Sequence, residues 1–256
     1  MSNQQGKTEF IYGLHSVAAL IKHRPEQVKE LSVRSGKRST AQEALVSQAR
    51  DAGIEVVDVS SDLLNRRSGN GVHQGVFAEA QQRPEFGDSE LEQVLANSSE
   101  LLFLVLDSVE DPRNLGACLR VADGAGVDGV IIARSRGARL TPLVAKVASG
   151  AAESVPCYRV ANLARTLKFM SEVGVQLVGA ADEEAESLYD VETEQLTALV
   201  IGHEGSGLRQ LTRQHCQQLA SIPMFGTVES LNLSVAAGVM LYEIQRKRAK
   251  MAVNNC

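Results

Sequence analysis

The chain has 256 residues, of which 44% are hydrophobic and 22% are charged, proportions typical of globular proteins of one or two domains. The net charge of -5 excludes a generally basic protein that coats nucleic acid through phosphate contacts, so any phosphate-binding surface must be local. No apolar run reaches the roughly 18 residues that a membrane span requires. The polar start at 1–9 lacks the apolar centre of a signal peptide, and we therefore expect a cytoplasmic protein without membrane contact.

The first third of the chain alternates strand-like and helical patterns. Short apolar runs predict strands at 28–33 and 54–59, and the patterns at 41–52 and after Ser60 predict helices. A last strand is predicted at 72–80, preceded by a basic, exposed turn at 66–71 that could contact phosphates. We therefore predict a small α/β domain at 1–80. The polar segment that follows carries Pro84 and Gly87 and begins a predicted linker at 81–98.

Continuous apolar runs dominate the remainder of the chain. The run at 101–106 is too short for a helix and is typical of a strand buried on both faces. Further strands are predicted at 129–133, 175–180, 198–202 and 219–223, and helices at 114–126, 161–173 and 233–250. This alternation predicts a second α/β domain at 99–256, built on a parallel sheet that is covered by helices on both faces.

The potential metal ligands are scattered. No CxxC pair is present, so the cysteines indicate reduced thiols and neither a zinc site nor a redox pair; they are Cys118, Cys157, Cys216 and Cys256. The adjacent carboxylates Glu110 and Asp111 have no neighbouring ligands that would suggest a metal site. We therefore predict no metal.

Three loops that follow predicted strands are candidate ligand sites, because ligands of parallel α/β sheets bind beyond the carboxyl ends of strands. The first enters a helix and carries Asn114, a candidate helix cap, with Arg120 six residues later. The second, at 202–208, has three glycines that permit tight turns and close approach of a ligand. The third, at 222–234, again runs from a strand to a helix. Each loop alone is an ordinary connection, and their joint order is what indicates a site.

The glycine loop does not fit a dinucleotide-binding or phosphate-binding fingerprint. Its spacing is G-x-x-G-x-G, whereas the dinucleotide motif reads G-x-G-x-x-G, and the loop lies late in the chain. It also lacks the G-K-[ST] sequence of a P-loop. We therefore expect another kind of ligand.

Taken together, the three segments resemble the motifs of the SpoU (TrmH-like) family of RNA ribose 2'-O-methyltransferases. They read N-L-G-x-x-x-R at 114–120, G-x-E-G-x-G-L at 202–208 and I-P-M-x-G-x-x-x-S-L-N-x-S at 222–234, in the order of the family. The likeness covers nearly all of 101–250. In addition, Ile-Tyr-Gly at 11–13 and Gly-Val-His-Gln-Gly at 71–75 resemble the RNA-binding domain that precedes the catalytic domain in family members. The likeness is greatest to the subgroup that methylates a guanosine ribose in bacterial 23S rRNA.

The resemblance implies a fold, a cofactor and partners. The fold would combine a ribosomal-protein-L30e-like RNA-binding domain with an α/β-knot (SPOUT) domain, whose sheet is threaded into a deep trefoil knot, a rare exception to the general folding rules. The methyl donor would be S-adenosylmethionine, held by backbone groups along Gly202, Ile222 and Leu231. The partners would be 23S rRNA or a large-subunit assembly intermediate, and a second copy of the chain, forming a homodimer in which the apolar side of the last helix takes part.

The resemblance also implies catalytic roles. Arg120 takes the position of the family's essential arginine and would activate the ribose hydroxyl, either as a base or by electrostatic stabilisation; a base would need unusual help, because guanidinium groups stay protonated in proteins. Asn114 would orient Arg120 or the ribose, and Glu204 would fix a donor. Ser230 and Asn232 would support the ribose and the methyl group. The same side chains also fit purely structural roles as a helix cap, a loop carboxylate and turn formers.

Several alternatives remain open from the sequence. A tRNA ribose methyltransferase of the same family would carry the same motifs, and a non-catalytic module that binds structured RNA would need only the first domain. His203 is interpreted as a peripheral contact, and His73 fits RNA contact and strand-edge packing equally well. The basic end of the last helix, at 245–250, fits phosphate contact or the preference of cations for helix C-termini.

Overall fold

The computed structural model describes residues 8–83, 85–135, 137–182 and 185–254. Contacts within the chain divide it into two compact units. The described residues of the first unit lie within Met1–Pro84 and Leu140–Ser154, and those of the second lie within Glu85–Arg139 and Val155–Cys256. This division differs from the predicted one, because the internal segment 140–154 belongs to the amino-terminal unit.

The described residues form α-helices and strands in both units. The strands are β1 (Thr8–Tyr12), β2 (Val28–Arg34), β3 (Glu55–Val59), β4 (Val76–Gln81), β5 (Leu101–Leu106), β6 (Gly129–Ala133), β7 (Cys157–Val160), β8 (Gln176–Ala180), β9 (Glu186–Ser187), β10 (Leu196–Ile201) and β11 (Gln218–Ser221). The helices are α1 (Leu14–His23), α2 (Thr40–Asp51), α3 (Ser61–Arg67), α4 (Asp88–Asn97), α5 (Pro112–Gly124), α6 (Pro142–Val147), α7 (Ala151–Ser154), α8 (Leu163–Glu172), α9 (Gln210–His215) and α10 (Leu233–Asn254).

The first unit contains a four-stranded mixed sheet in the order β1-β4-β2-β3. Strands β2 and β3 are parallel, and β4 is antiparallel to both of its neighbours. Leu31 and Val33 of β2 are fully buried and pack with residues of α1, such as Leu20, in one apolar core. Strand β4 begins at Val76, later than the predicted start at 72, because Gln74 has a φ of 52° that a strand does not allow.

Side-chain contacts hold α6 and α7 to the first unit. The hydroxyl of Ser16 on α1 donates to the carbonyl of Ala145 at 3.0 Å. Arg24 forms ion pairs with Glu9 at 2.6 Å and with Glu153 at 2.7 Å, and the Glu153 side chain is 1% exposed. A buried carboxylate needs such a partner to offset its loss of hydration. These contacts explain why a segment remote in sequence belongs to the amino-terminal unit.

The second unit is built on a seven-stranded sheet in the order β7-β6-β5-β10-β8-β11-β9. All of its neighbouring strands are parallel, which confirms the predicted parallel α/β architecture. Every residue of β5 is buried, as expected for a strand between two helical layers. The segment predicted as a linker contains α4, whose Leu91 and Leu95 are buried in the core of this unit. The trefoil knot stays a prediction.

Basic residues at the end of the last helix, α10, have partners within their own unit. Arg246 pairs with Glu243 at 2.6 Å, Arg248 donates to the carbonyl of Gln195 at 2.9 Å, and Lys247 donates to the carbonyl of Leu188 at 2.8 Å. Three of the basic side chains at the end of the helix therefore have partners within the protein and do not require an external phosphate. Neither α10 nor any other helix in the described part of the chain is long and apolar enough to cross a membrane.

Candidate active site

The three sequence segments begin at one edge of the parallel sheet of the second unit. Strands β5 and β10 are neighbours and end side by side, with Leu106 paired to Ile201. Strand β11 lies two places from β10, with β8 between them. Because all of these strands are parallel, the loops that follow them leave from the same edge, where ligands of such sheets bind.

Helix α5 carries two of the predicted catalytic residues. It begins at Pro112, and its N-cap is Asp111, whose carboxylate accepts a hydrogen bond from the backbone N–H of Arg113 at 2.8 Å. The prediction that Asn114 caps this helix is therefore wrong: the cap lies three residues earlier, and proline occupies the first helical position. The Asn114 side chain instead bonds the glycine loop: its Nδ2 donates to Glu204 Oε2 at 3.0 Å. Arg120 is exposed on the same helix.

The glycine loop after β10 is closed by its own backbone. The N–H of His203 donates to the carbonyl of Gly207 at 3.0 Å, and the N–H of Gly207 donates back to the carbonyl of His203 at 2.9 Å. Gly205 and Gly207 have φ values of 100° and 64°, in the region that favours glycine. A Cβ at Gly202 would lie 2.1 Å from the carbonyl carbon of Gly207, so position 202 has no space for a side chain.

A buried ion pair, which the sequence analysis missed, anchors both sides of this loop. Asp107 directly follows β5 and is 0% exposed, and its N–H donates to the carbonyl of Ile201 at 2.8 Å. Its carboxylate accepts from the Arg209 backbone N–H at 3.1 Å and from Arg209 Nε at 2.5 Å. The available signal was an aspartate directly after a fully apolar strand, because a carboxylate in that place needs a cation nearby.

The third loop, between β11 and α10, is open. Within the described chain, residues 222–231 form no backbone–backbone hydrogen bond and belong to no helix or strand. Ile222 and Leu231 are half-buried and Ser230 is exposed. Phe225 is 94% exposed. The segment therefore lacks, within the described chain, the backbone bonds that close the glycine loop.

Asn232 has a local structural role at the start of α10. Its Oδ1 accepts from the backbone N–H of Ser234 at 3.0 Å and from the hydroxyl of Ser234 at 2.7 Å. Its backbone carbonyl accepts from the N–H of Ala236 at 2.9 Å, as the residue before a helix does. Its side-chain amide Nδ2 is the group that this arrangement leaves for a ligand.

Helix α10 packs beside α5. Gly238 faces Val121 on α5, and farther along both helices the hydroxyl of Tyr242 donates to the carbonyl of Gly124 at 2.9 Å. Because these contacts advance together along the two helices, α5 and α10 run in the same direction. The beginning of α10, with Asn232, therefore lies towards the half of α5 that precedes Val121. Asn114 and Glu204 are in direct contact, whereas Ser230 and Asn232 lie in the other loop, before α10.

The cysteines near these elements are poor nucleophiles. Burial raises the pKa of the Cys118 thiol on α5 to about 12. Burial and the nearby Asp107 carboxylate raise the pKa of the Cys216 thiol to about 12 as well. Both thiols are therefore protonated at neutral pH, which favours chemistry without a cysteine nucleophile.

Among the described residues, no group of three or more His, Cys, Asp or Glu side chains is placed to hold a metal ion.

Comparisons with known proteins match both parts of the chain. Residues 101–242 match the SpoU rRNA methylase family, and residues 10–86 match the family described as RNA 2'-O ribose methyltransferase substrate binding. The 23S rRNA (guanosine-2'-O-)-methyltransferase RlmB of Haemophilus influenzae is 46% identical over 94% of this chain and 98% of its own length. The protein of the same name from Escherichia coli is 42% identical over 94% of this chain and 100% of its own length. The crystal structure of the SpoU methyltransferase AviRb from Streptomyces viridochromogenes, in complex with the cofactor AdoMet, matches with a TM-score of 0.77 at 26% identity, covering 94% of this chain and 90% of that one. The chain belongs to the SpoU rRNA methylase family.

Proposed function

We propose that this chain transfers the methyl group of S-adenosylmethionine to the ribose 2'-hydroxyl of a guanosine in 23S rRNA. The observation that carries the proposal is the identity of 42% and 46%, over 94% of the chain, to relatives named for that reaction. The loops at the edge of the parallel sheet support it, because Asn114 of the first segment contacts Glu204 of the second, and Arg120 lies on the same helix as Asn114.

The third loop fits the cofactor. S-adenosylmethionine carries an adenine ring with both donors and acceptors, and residues 222–231 offer backbone groups of both kinds that have no backbone partner in the described chain. Gly202, Ile222 and Leu231 would hold the cofactor. When bound, it supplies an electrophilic methyl group on a positively charged sulfur, which is a good leaving group.

Arg120 acts in this proposal as an electrostatic group. A guanidinium remains protonated in proteins, so it suits holding a phosphate beside the reacting ribose and stabilising negative charge that develops on the 2'-oxygen. Its exposed position on α5 gives RNA access to it. The hydroxyl proton leaves to water at this exposed face. No neutral arginine is required.

The remaining predicted residues position the ribose. Glu204 holds Nδ2 of Asn114, so the amide oxygen of Asn114 remains to orient Arg120 or the ribose. Asn232 keeps Nδ2 for the ribose because its Oδ1 is bonded to Ser234, and Ser230 contributes its hydroxyl. Alignment of this kind supplies about 7–11 kcal/mol in well-oriented reactions, so the site does not need a strong base.

A homodimer is the second part of the proposal. Val235 and Tyr242 lie seven residues apart on one face of α10 and are 50% and 56% exposed, which leaves an apolar strip for a second copy. Sedimentation should give a dimer for the wild-type chain and a monomer for Val235→Asp. A monomeric wild-type chain at micromolar concentration would contradict this part.

The substrate is tested by methyl transfer to separate RNAs. The purified protein is incubated with methyl-labelled S-adenosylmethionine and with unmodified 23S rRNA, 16S rRNA, tRNA or immature large-subunit particles. We expect 2'-O-methylguanosine in 23S rRNA, free or in the particles. Label in tRNA alone would move the assignment to a tRNA methyltransferase. Cofactor binding without transfer to any of these RNAs would favour a non-catalytic RNA-binding module, and loss of cofactor binding would contradict the proposal.

A further inference from the structure

Two segments that stand 60 residues apart in sequence meet in the first unit beside a polar cleft. The backbone N–H of Leu14, which directly follows the segment 11–13, donates at 3.1 Å to the side-chain oxygen of Gln74 in the segment 71–75. A Cβ at Gly71 would lie 2.8 Å from the ring of Tyr12, so the two segments pack closely. The cleft has a volume of about 510 Å³ and is lined by the loop at 70–75, by Arg34 and by the first turn of α2.

The loop at the cleft is held in an unusual backbone conformation. Asn70 and Gln74 have φ values of 61° and 52°, although neither is glycine. A positive φ at a residue other than glycine costs conformational energy, and it persists only where the surrounding structure fixes the backbone. The carbonyl of Gln74 accepts from Nε2 of the buried Gln42 at 2.9 Å, and its side-chain oxygen also accepts from Lys146 Nζ at 3.1 Å. The cleft is therefore a built feature of the unit.

One cation, Arg34, lines the cleft, and a second, Lys146, bonds the side chain of Gln74 in the loop that lines it. In the described part of the chain, neither Arg34 nor Lys146 forms an ion pair. Both lie close enough to His73 to favour its neutral form: burial, Arg34 and Lys146 lower the pKa of His73. The neutral ring accepts from the N–H of Gly75 at 3.0 Å and meets Asn65 Oδ1 at 3.0 Å. The cleft thus combines positive charge with neutral hydrogen-bonding groups.

Other arginines of the unit differ from Arg34. Arg67 donates to Glu30 at 3.0 Å and to Ser32 at 2.9 Å, so the basic turn predicted to contact phosphates is partly neutralised internally. Arg38 forms an ion pair with Asp58. Arg34 is therefore the better candidate for an external anion. Val72 also lines the cleft and is 72% exposed, which adds an apolar surface beside the charge.

We propose that this cleft binds one unpaired nucleotide of the substrate RNA, with its phosphate at Arg34 and its base against Val72 and the amide of Asn70. The inference rests on the proposed function for the identity of the RNA. The positive charge, the apolar side chain and the amide together favour an unpaired nucleotide. A paired base keeps its faces and its hydrogen-bonding edge inside the duplex, whereas an unpaired base can place its face on Val72 and its edge at the amide of Asn70. Lys146 adds to the positive field at the phosphate.

The test compares charge removal inside and outside the cleft. Arg34→Gln removes the proposed phosphate ligand, and Arg50→Gln removes another exposed arginine, in the last turn of α2. We expect Arg34→Gln to bind 23S rRNA about tenfold more weakly than Arg50→Gln, the loss of one charged hydrogen bond. The slope of log affinity against log salt should fall by about 1 for Arg34→Gln. Equal binding and equal slopes for the two variants would overturn the proposal.

A second comparison tests the unpaired base. Asn70→Gly removes the amide and keeps a residue that tolerates positive φ. Asn70→Gly and Arg34→Gln should weaken binding to 23S rRNA while leaving binding to a fully paired RNA duplex unchanged. An equal loss on the duplex would overturn the assignment of the cleft to an unpaired nucleotide.

Binding and methyl transfer are measured separately, so the two proposals can fail independently. If wild-type protein binds 23S rRNA but methylates none, and Arg34→Gln still binds more weakly, the cleft stands and the proposed reaction fails. If the wild type methylates 23S rRNA and Arg34→Gln matches Arg50→Gln in the KM for RNA, the reaction stands and the cleft proposal fails. For a true cleft residue, the KM for RNA rises while kcat and cofactor affinity stay unchanged.

Discussion

The two loops that follow β10 and β11 differ in how they are held. The loop at 202–208 is closed by backbone hydrogen bonds between His203 and Gly207 and is flanked by the buried pair Asp107–Arg209. The loop at 222–231 has no backbone–backbone bond in the described chain and exposes Phe225. The first loop is thus fixed by its own backbone hydrogen bonds, whereas the second has no such bonds within the described chain. Changes in the first loop should reduce stability and binding together, and changes in the second should reduce binding alone.

The largest loss of stability is expected for Gly202→Ala. The added Cβ would meet backbone atoms of Gly207 and Leu208 at 2.1–2.4 Å, which cannot move as a side chain end can. We expect the free energy of unfolding to fall by at least about 3 kcal/mol and cofactor binding to weaken at least tenfold. Unfolding by denaturant measures the change in stability, and titration calorimetry measures the change in cofactor affinity. The control is Gly205→Ala, where space is open and only the positive φ costs energy, about 1–2 kcal/mol.

Asp107→Asn should be the next most costly change. The change weakens the hydrogen bonds between the buried carboxylate and Arg209, but the Arg209 side chain is 37% exposed and can be hydrated, so we expect a loss of about 1.5–3 kcal/mol. Asp58→Asn is the matched control, since Asp58 pairs with Arg38 but is 59% exposed, and surface pairs contribute about 0–1 kcal/mol. Similar unfolding free energies for the two variants would contradict the anchoring role of Asp107.

A smaller effect is expected for the contact between Asn114 and Glu204. Asn114→Ala, Glu204→Ala and the double variant form a double-mutant cycle for the bond of 3.0 Å between α5 and the glycine loop. We expect a coupling energy of about 0.5–1.5 kcal/mol in unfolding experiments, because both groups are partly solvated. Additive effects would show that the bond does not join the two elements in solution.

The smallest loss of stability is expected in the open loop. Phe225→Ser should change the unfolding free energy by no more than about 0.5 kcal/mol, because Phe225 is 94% exposed. In hydrogen exchange, S-adenosylmethionine should slow the amides of 222–231 more than those of 203–207, which are already partly bonded. The proposed difference between the loops would be contradicted if S-adenosylmethionine slowed exchange equally in both loops. It would also be contradicted if Phe225→Ser lowered the unfolding free energy by more than about 1 kcal/mol.

Local patterns predicted much of the second unit. The apolar run at 101–106 and the helical period at 114–126 lie close to β5 and α5 because burial on both faces and the helix repeat leave direct marks in sequence. The start of α5 was misjudged because Asn114 resembles a cap, although Asp111-Pro112 is the stronger start signal. The contact of Asn114 with Glu204 could not be read locally, since 90 residues separate them.

Long-range packing accounts for what the sequence patterns missed. Helices α6 and α7 join the first unit through contacts such as Ser16 to Ala145, which no periodicity records. The linker prediction overlooked α4 because the polar residues around it resemble a loop, while Leu91 and Leu95 supply only a narrow apolar stripe. The order of strands in a parallel sheet also depends on crossovers that local patterns do not specify.

Arg120 is proposed to act in the transfer step. The direct measurement is single-turnover methyl transfer to 23S rRNA by Arg120→Ala and by Arg113→Ala, a matched change of an exposed arginine on the same helix, with cofactor affinity measured for both. We predict that Arg120→Ala slows transfer about 100-fold to 1000-fold, as removal of a charge-stabilising donor does, while cofactor affinity stays unchanged and Arg113→Ala transfers at a rate near the wild type. Transfer by Arg120→Ala within twofold of Arg113→Ala would contradict the claim.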